Sequence, residues 1–249
     1  MQKRSPNHSQ GVDVSHWQGD INWQKVADAG KRFVFIKATE GEGWTDPKWK
    51  DHALGASKAG LSIGFYHFAR FKNRAEAVRE ARHFVQTIDA MPSALPHVLD
   101  LEVTNGLSKV ELSELALFFL ENVKKWTDHE VMLYTNANMA ANHLTSILQH
   151  VPLWIAHYGT DQPRPNKIWK KWRVFQYSNR GRVPGIRGFV DLDEMVSEVS
   201  DEPHTYTIQA GDTFWDLERK NGWAHGTLQK LNPRVNPRRL QIGQSIRIP

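Results

Sequence analysis

The 249-residue chain contains no cysteine. Disulfides and thiolate metal sites are therefore excluded, and stability has to come from packing alone. Long apolar runs are missing as well: no stretch approaches the ~20 apolar residues that span a bilayer, so membrane insertion is not expected. Residues 1–10 are polar and lack the apolar centre of a secretory signal. They read as a disordered leader, and nothing in the chain directs it through a secretory route. Although there are twelve histidines, neither H-E-x-x-H nor another zinc-type spacing occurs. His16, His67, His97 and His157 are expected to be hydrogen-bonded core or rim groups. No metal or other cofactor is expected, and no phosphate-cradling glycine loop is present.

What the chain does contain is ordinary globular material, 40% hydrophobic and 24% charged. Its length accommodates one sizeable core and a small second domain. The formal net charge of +5 suits a negatively charged partner such as nucleic acid, an anionic membrane surface or an acidic cell wall. Nucleic acid is not expected, because no recognition motif is present and acids gather where phosphate would have to lie. Ten tryptophans offer flat faces for sugars or bases, although most are expected to fill the core.

Apolar runs and caps alternate along the chain. Strands are expected at 12–14, 33–36, 62–69 and 96–102, then at 131–136, 153–158, 173–178 and 188–193. Asn22, Asp46 before Pro47, Asn73 with Glu76, and Ser108 with Glu111 read as helix starts. The first five strands alternate with helices and the last three do not. This pattern predicts an α/β fold with a parallel sheet: an irregular barrel of about eight strands with a reduced helical shell, or alternatively an open doubly wound sheet. The G-x-S-x-G at 60–64 joins a helix to a strand, the reverse of the order a serine nucleophile needs. Residues 197–204 read as a linker. Beyond it, 205–249 reads as a strand–helix–helix–strand (βααβ) domain in which Lys and Arg outnumber Asp and Glu seven to three.

The 96–102 segment is the centre of the reading. Alternation puts His97, Leu99 and Leu101 on one face and Val98, Asp100 and Glu102 on the other. Two acids two residues apart, with Cα atoms about 6.6 Å apart, can protonate a leaving oxygen and stabilise a cationic sugar carbon. A solvated strand end is the plain alternative for an isolated D-x-E. Ligands of such sheets bind at the carboxyl ends of the strands. Glu40, Tyr66, Tyr134, Tyr158 and Gln176 all lie toward those ends, and Asp13 and Asp191 are expected to join them. Crowded acids raise one another's proton affinity, which keeps one ready to donate. With Trp17, Tyr66, Tyr134 and Trp154 as stacking faces, the set points to glycosidase chemistry. Asp193 and Glu194 read as a solvated helix start.

These same residues carry a resemblance. Gly11 to Gly19 (GVDVSHWQG), Lys37 to Gly41 (KATEG), Gly64 to Phe68 (GFYHF), Asp100-Leu101-Glu102, Gln176-Tyr177-Ser178 and Val190-Asp191 resemble the family 25 glycoside hydrolases, the Chalaropsis-type muramidases, over 11–196. The resemblance implies a flattened (β/α) barrel that cuts the β-1,4 bond between N-acetylmuramic acid and N-acetylglucosamine in peptidoglycan. It implies Glu102 as general acid, Asp100 as its partner, Asp13 and Asp191 as supporting acids, and Glu40, Tyr66, Tyr134, Trp154 and Gln176 as substrate contacts. Phe175 departs from the expected tryptophan, which puts one stacking contact in doubt. The tail, from Tyr206 through Gly211-Asp212-Thr213 and Leu231-Asn232-Pro233, resembles a LysM module that binds N-acetylglucosamine-containing glycans. The combination resembles a bacteriophage endolysin: a monomer made in the host cytoplasm and acting on the wall after release. A catalytically inactive wall-binding protein is the alternative.

Overall fold

The structure, a computed structural model, describes residues 1–196 and 205–248 apart from 222, 224 and 234; the linker expected at 197–204 lies outside the described residues. Two units divide the chain, Met1–Val196 and Ser197–Pro249.

In the first unit β1 (Ser9–Val14), β2 (Phe33–Glu40), β3 (Trp44–Thr45), β4 (Ser62–Phe68), β5 (His97–Asp100), β6 (Val131–Asn136), β7 (Leu153–Ala156), β8 (Val174–Gly181) and β9 (Val190–Met195) follow one another. Their spatial order is β1-β9-β8-β7-β6-β5-β4-β2, and β1 also pairs with β2, which closes an eight-stranded barrel. The open doubly wound sheet is thereby excluded. Seven of these strands are parallel, whereas β9 runs antiparallel to both β8 and β1. The short β3 hangs from β2 as a hairpin. Helices α1 (Trp23–Asp28), α2 (Trp49–Lys58), α3 (Arg74–Ile88), α4 (Lys109–Thr127) and α5 (Ala137–Asn142) form an incomplete shell, and none joins β7 to β8, as the sequence indicated.

Most of the predicted caps form. Asn22 Oδ1 accepts from Lys25 N and Asn73 Oδ1 from Glu76 N, while Ser108 and Glu111 complete a reciprocal capping box. Asp46 differs. The helix expected to start from it begins at Trp49; Asp46 Oδ1 still accepts from Lys48 N at 2.8 Å, while its Oδ2 accepts from the His16 backbone N–H at 2.9 Å and meets His16 Nδ1 at 2.8 Å. Of the other histidines, His67 bridges Thr39 and Glu80 and His157 Nδ1 accepts from Arg164 N. His97 Nδ1 is buried without a hydrogen-bond partner among the described residues. The G-x-S-x-G segment does run from helix to strand, with Ser62 exposed at the start of β4.

Residues 1–10 are not the disordered leader their polarity suggested: Ser9 and Gln10 already belong to β1. Glu194, 1% exposed in β9, draws them in: its carboxylate accepts from Arg4 Nε (2.8 Å), Ser5 N (2.6 Å) and Gln10 Nε2 (3.2 Å) and contacts His8 Nδ1 (2.7 Å). A buried anion needs such a shell. Burial alone would raise the Glu194 pKa, yet these bonds hold it below the ordinary value.

Strand alternation builds two cores. Phe33, Phe35, Val98, Met132, Trp154 and Val174 fill the barrel, whereas Val34, Ile36, Leu99, Leu101, Leu133 and Ile155 face the helices. The interior rings need glycine beside them. Gly64 is paired with Phe35 across β2 and β4, and a Cβ there would lie 2.6 Å from the Phe35 ring and 2.9 Å from Leu95 Cβ.

The second unit is the expected βααβ: β10 (Thr205–Thr207), α6 (Phe214–Lys220), α7 (Thr227–Leu231) and β11 (Ser245–Arg247), with β10 antiparallel to β11. Ile208, Phe214, Leu217, Leu228 and Ile246 form its core. Buried polar staples supplement this small core: Glu218 accepts from Gly226 N and Leu228 N, and Asn232 bonds to Leu228 and Arg247.

Gly64→Ala is expected to destabilise the barrel by about 1–3 kcal/mol through overpacking, seen as a lower thermal midpoint. An unchanged midpoint would mean that the Phe35 ring can step aside.

Candidate active site

One pocket, of about 150 Å³, opens at the carboxyl ends of the parallel strands and is lined by Asp13, Tyr66, Asp100, Glu102, Tyr134, Trp154, Tyr158, Gln176 and Asp191. All four predicted acids meet here. Asp13 stands near the end of β1 and Asp100 ends β5, while Glu102 follows just beyond that strand. Asp191 arrives differently, from near the start of β9. Because β9 is antiparallel, its beginning lies beside the end of β1, where Asp191 pairs with Asp13. Alternation behaves as expected around the acid pair: Val98 faces the barrel interior, whereas Leu99 and Leu101 face the helices.

Hydrogen bonds fix the wall opposite Asp100. Gln176 Nε2 donates to Asp13 Oδ2 at 2.6 Å, and Gln176 Oε1 accepts from Tyr134 OH at 2.8 Å and from Tyr158 OH at 2.6 Å. Both tyrosine protons are consumed, so these hydroxyls present lone pairs to an incoming group. Tyr158, expected at the ligand-binding strand ends though not named among the substrate contacts, joins them and is 43% exposed. Its place at the end of the 153–158 run was the available signal.

Trp154 lies in the floor. It is 2% exposed, one face is stacked on Phe35 at 4.6 Å between centroids, and Tyr134 packs edge-on at 4.6 Å. It therefore lacks the free face a stacking platform needs, and Tyr66 and Tyr134 are also mostly buried. Of the four rings expected to stack, Trp17 is the exposed one, and within the pocket lining the open ring is Tyr158. Phe175 points away from the pocket into the outer core, against Trp172 at 5.7 Å, so no stacking contact is at stake there. Glu40 is not part of the pocket lining. Lys37 Nζ (2.6 Å) and Arg70 Nη2 (2.7 Å) grip its carboxylate. Burial would raise its pKa, but those bonds keep it below the ordinary value.

Burial dominates the electrostatics of the acids. It raises Asp100 strongly, with the neighbouring Glu102 carboxyl adding to the effect. Glu102, partly open to solvent, is raised by its own partial loss of water. Asp13 is pushed up by burial and by Asp191 and Asp193, and Asp191 rises to about 6 through burial and the charge of Glu102. This pocket therefore retains protons that free carboxyls would lose.

Asp193 is not a solvated helix start. It is fully buried in β9 beneath this layer, where its Oδ1 accepts from Trp154 Nε1 at 2.9 Å and its carboxyl pairs with that of Asp13. The signal was the V-D-L-D alternation, which puts 191 and 193 on one strand face. Burial lifts Asp193 to about 8 from 3.8. The folded protein thus binds this proton more tightly than the unfolded chain does. The corresponding stability is complete below about pH 4 and is lost as pH rises through the folded value. A thermal midpoint followed from about pH 4 to about pH 9 should fall, and Asp193→Asn, which retains an acceptor for Trp154, should flatten part of that fall. Identical slopes in the two proteins would contradict the assignment.

A sequence profile for glycosyl hydrolases family 25 matches residues 12–186, and a LysM domain profile matches 206–249. An autolytic lysozyme of Clostridium acetobutylicum is 38% identical over 190 residues, covering 74% of this chain and 55% of that protein. The chain thus spans about half the length of this curated relative. Among solved structures, a bacterial lysozyme from Streptomyces coelicolor superposes with a TM-score of 0.66 at 32% identity, covering 77% of this chain and 93% of that one. The catalytic domain of an endolysin from bacteriophage P40 of Listeria monocytogenes gives 0.66 at 26% identity, with 78% and 96% covered. With 12–186 matched by the profile and the acids gathered at the barrel mouth, the chain belongs to glycosyl hydrolases family 25 and carries a carboxy-terminal LysM domain.

Proposed function

We propose that this protein is a peptidoglycan muramidase that hydrolyses the β-1,4 bond between N-acetylmuramic acid and N-acetylglucosamine. The observation that carries the reading is the convergence of Asp13, Asp100, Glu102 and Asp191 in one polar pocket on the barrel rim. Glu102 combines a raised pKa with access to solvent, as an acid that must meet a polymer requires. It donates its proton to the glycosidic oxygen while an oxocarbenium-like centre develops, and water completes the hydrolysis. Asp100, buried behind it, orients the acetamido group or stabilises the charged centre. Asp13 and Asp191 hold this pair and tune its protons. Tyr66, Tyr134, Tyr158 and Gln176 contact the sugar in the pocket, Trp154 supports it from below, and Glu40 lies farther along the rim.

The LysM domain binds N-acetylglucosamine-containing glycan of the same wall, so tethering raises the local concentration of the barrel without any new contact. The similarity to an endolysin catalytic domain supports a role in phage-driven lysis; on that reading the protein is made in the host cytoplasm, acts on the wall after release and works as a monomer.

Glu102→Gln is expected to lower turnover on purified walls by about 10²- to 10⁴-fold, the usual contribution of a general acid, while folding and wall binding stay intact. Released reducing ends give the rate, and mass spectrometry of the digest identifies the reducing-end sugar and hence the bond cut. Wild-type turnover in the variant would remove Glu102 from this role.

A further inference from the structure

The positive charge of the barrel is unevenly placed. From 162 to 190 the chain carries eight Lys and Arg and no Asp or Glu. Four of these cations fall within Lys167-Ile168-Trp169-Lys170-Lys171-Trp172-Arg173. This segment is firmly held. Asn166 Oδ1 accepts from Ile168 N (2.9 Å) and Trp169 N (2.8 Å), which forms a tight turn. Trp169 Nε1 donates to Val151 O at 2.9 Å, and Trp172 Nε1 donates to Gln2 O at 2.9 Å. Gln2 Nε2 in turn donates to Trp172 O at 2.7 Å. Both indoles are buried. With the tryptophans pinned inward, Lys167, Lys170 and Lys171 are left exposed, and no ion pair of theirs is found among the described residues. Arg173, by contrast, is tied to Glu130 at 2.8 Å.

A groove of about 580 Å³ runs between this segment and residues 149–153, with His150 on its other bank. It adjoins the first residues of β7 and β8. Since those strands are parallel to β1 and β5, the groove lies at the rim opposite the acid pocket.

We propose that this groove is a second binding site, for a linear phosphodiester polymer such as a polyol-phosphate chain of the cell wall. Three lysines carried along one groove on a pinned backbone fit a chain of single negative charges, and because that backbone is already held in place, only side-chain ordering is lost on binding. Lipid fits less well: the two tryptophans that could enter a bilayer are buried instead of exposed. A polymer held here leaves the acid pocket at the other rim unobstructed. The choice of a wall polymer rests on the muramidase reading, whereas its test reads binding and not turnover.

The probe is poly(glycerol phosphate), titrated against the full-length protein and the triple variant Lys167→Gln, Lys170→Gln, Lys171→Gln over a range of salt concentrations. The variant should bind about tenfold more weakly or worse, and its salt slope should be smaller by about 2, as expected for three lost phosphate contacts. Its turnover on short soluble glycan should be unchanged. In the unsubstituted protein, the polymer should protect Lys167, Lys170 and Lys171, but not Lys109, from an amine-modifying reagent. Equal affinity and slope with no protection would overturn the proposal. So would a stronger lysine-dependent preference for phosphatidylglycerol vesicles or for a single-stranded oligonucleotide.

Discussion

The mouth of the barrel depends on the side-chain amide of Gln176. Its nitrogen holds Asp13, and its oxygen takes the protons of Tyr134 and Tyr158. One residue of β8 thereby ties together groups from β1, β6 and the segment after β7. The arrangement has a direction: the amide can donate only toward the acid, so both tyrosines must donate toward the amide. Carboxyls that repel one another in a water-poor pocket need such fixed neighbours, because mobile water cannot screen them there.

Much of the frame was legible because it follows from alternation and capping. The residues on either side of β5 sort into two cores as period-two patterning requires, and Asn22, Asn73 and Ser108 cap the helices that their spacing indicated. The acids 13, 100, 102 and 191 were also legible as a set, since each lies where a rim residue should. The failures share a cause. Asp46 looked like a helix cap and Asp193 and Glu194 like a solvated helix start, and each is buried because a partner elsewhere in the chain reaches it: His16, Trp154 and the amino-terminal segment respectively. Local composition carries no trace of contacts made across 30, 39 or 190 residues. The same limit explains Trp154. Residue type marks it as a ring for sugars, but only the packed barrel reveals that Phe35 already covers one face. The reversed direction of β9 was likewise invisible, although it is what brings Asp191 to Asp13.

The two acid layers divide the work. Of those lining the pocket, Glu102 and Asp191 reach solvent and can exchange protons with it, whereas Asp13 and Asp100 are nearly buried and Asp193 lies sealed beneath them. A barrel whose upper half must stay polar cannot also rely on that half for cohesion. The burden falls on the aromatic plug below, where Phe33, Phe35 and Trp154 interlock and glycines give the rings room. Chemistry and cohesion are thus separated by depth along one axis, which lets the rim vary while the plug stays fixed.

Closure of the sheet has another effect. Because β1 bonds to β2 on one flank and to β9 on the other, the barrel offers no long row of unsatisfied amides, and only the two-residue β3 stands as a fringe. Strand-by-strand addition of another molecule, the usual route from native sheet to aggregate, finds little template here. For the barrel, which has no covalent cross-links, resistance to strand addition is in this way a property of topology.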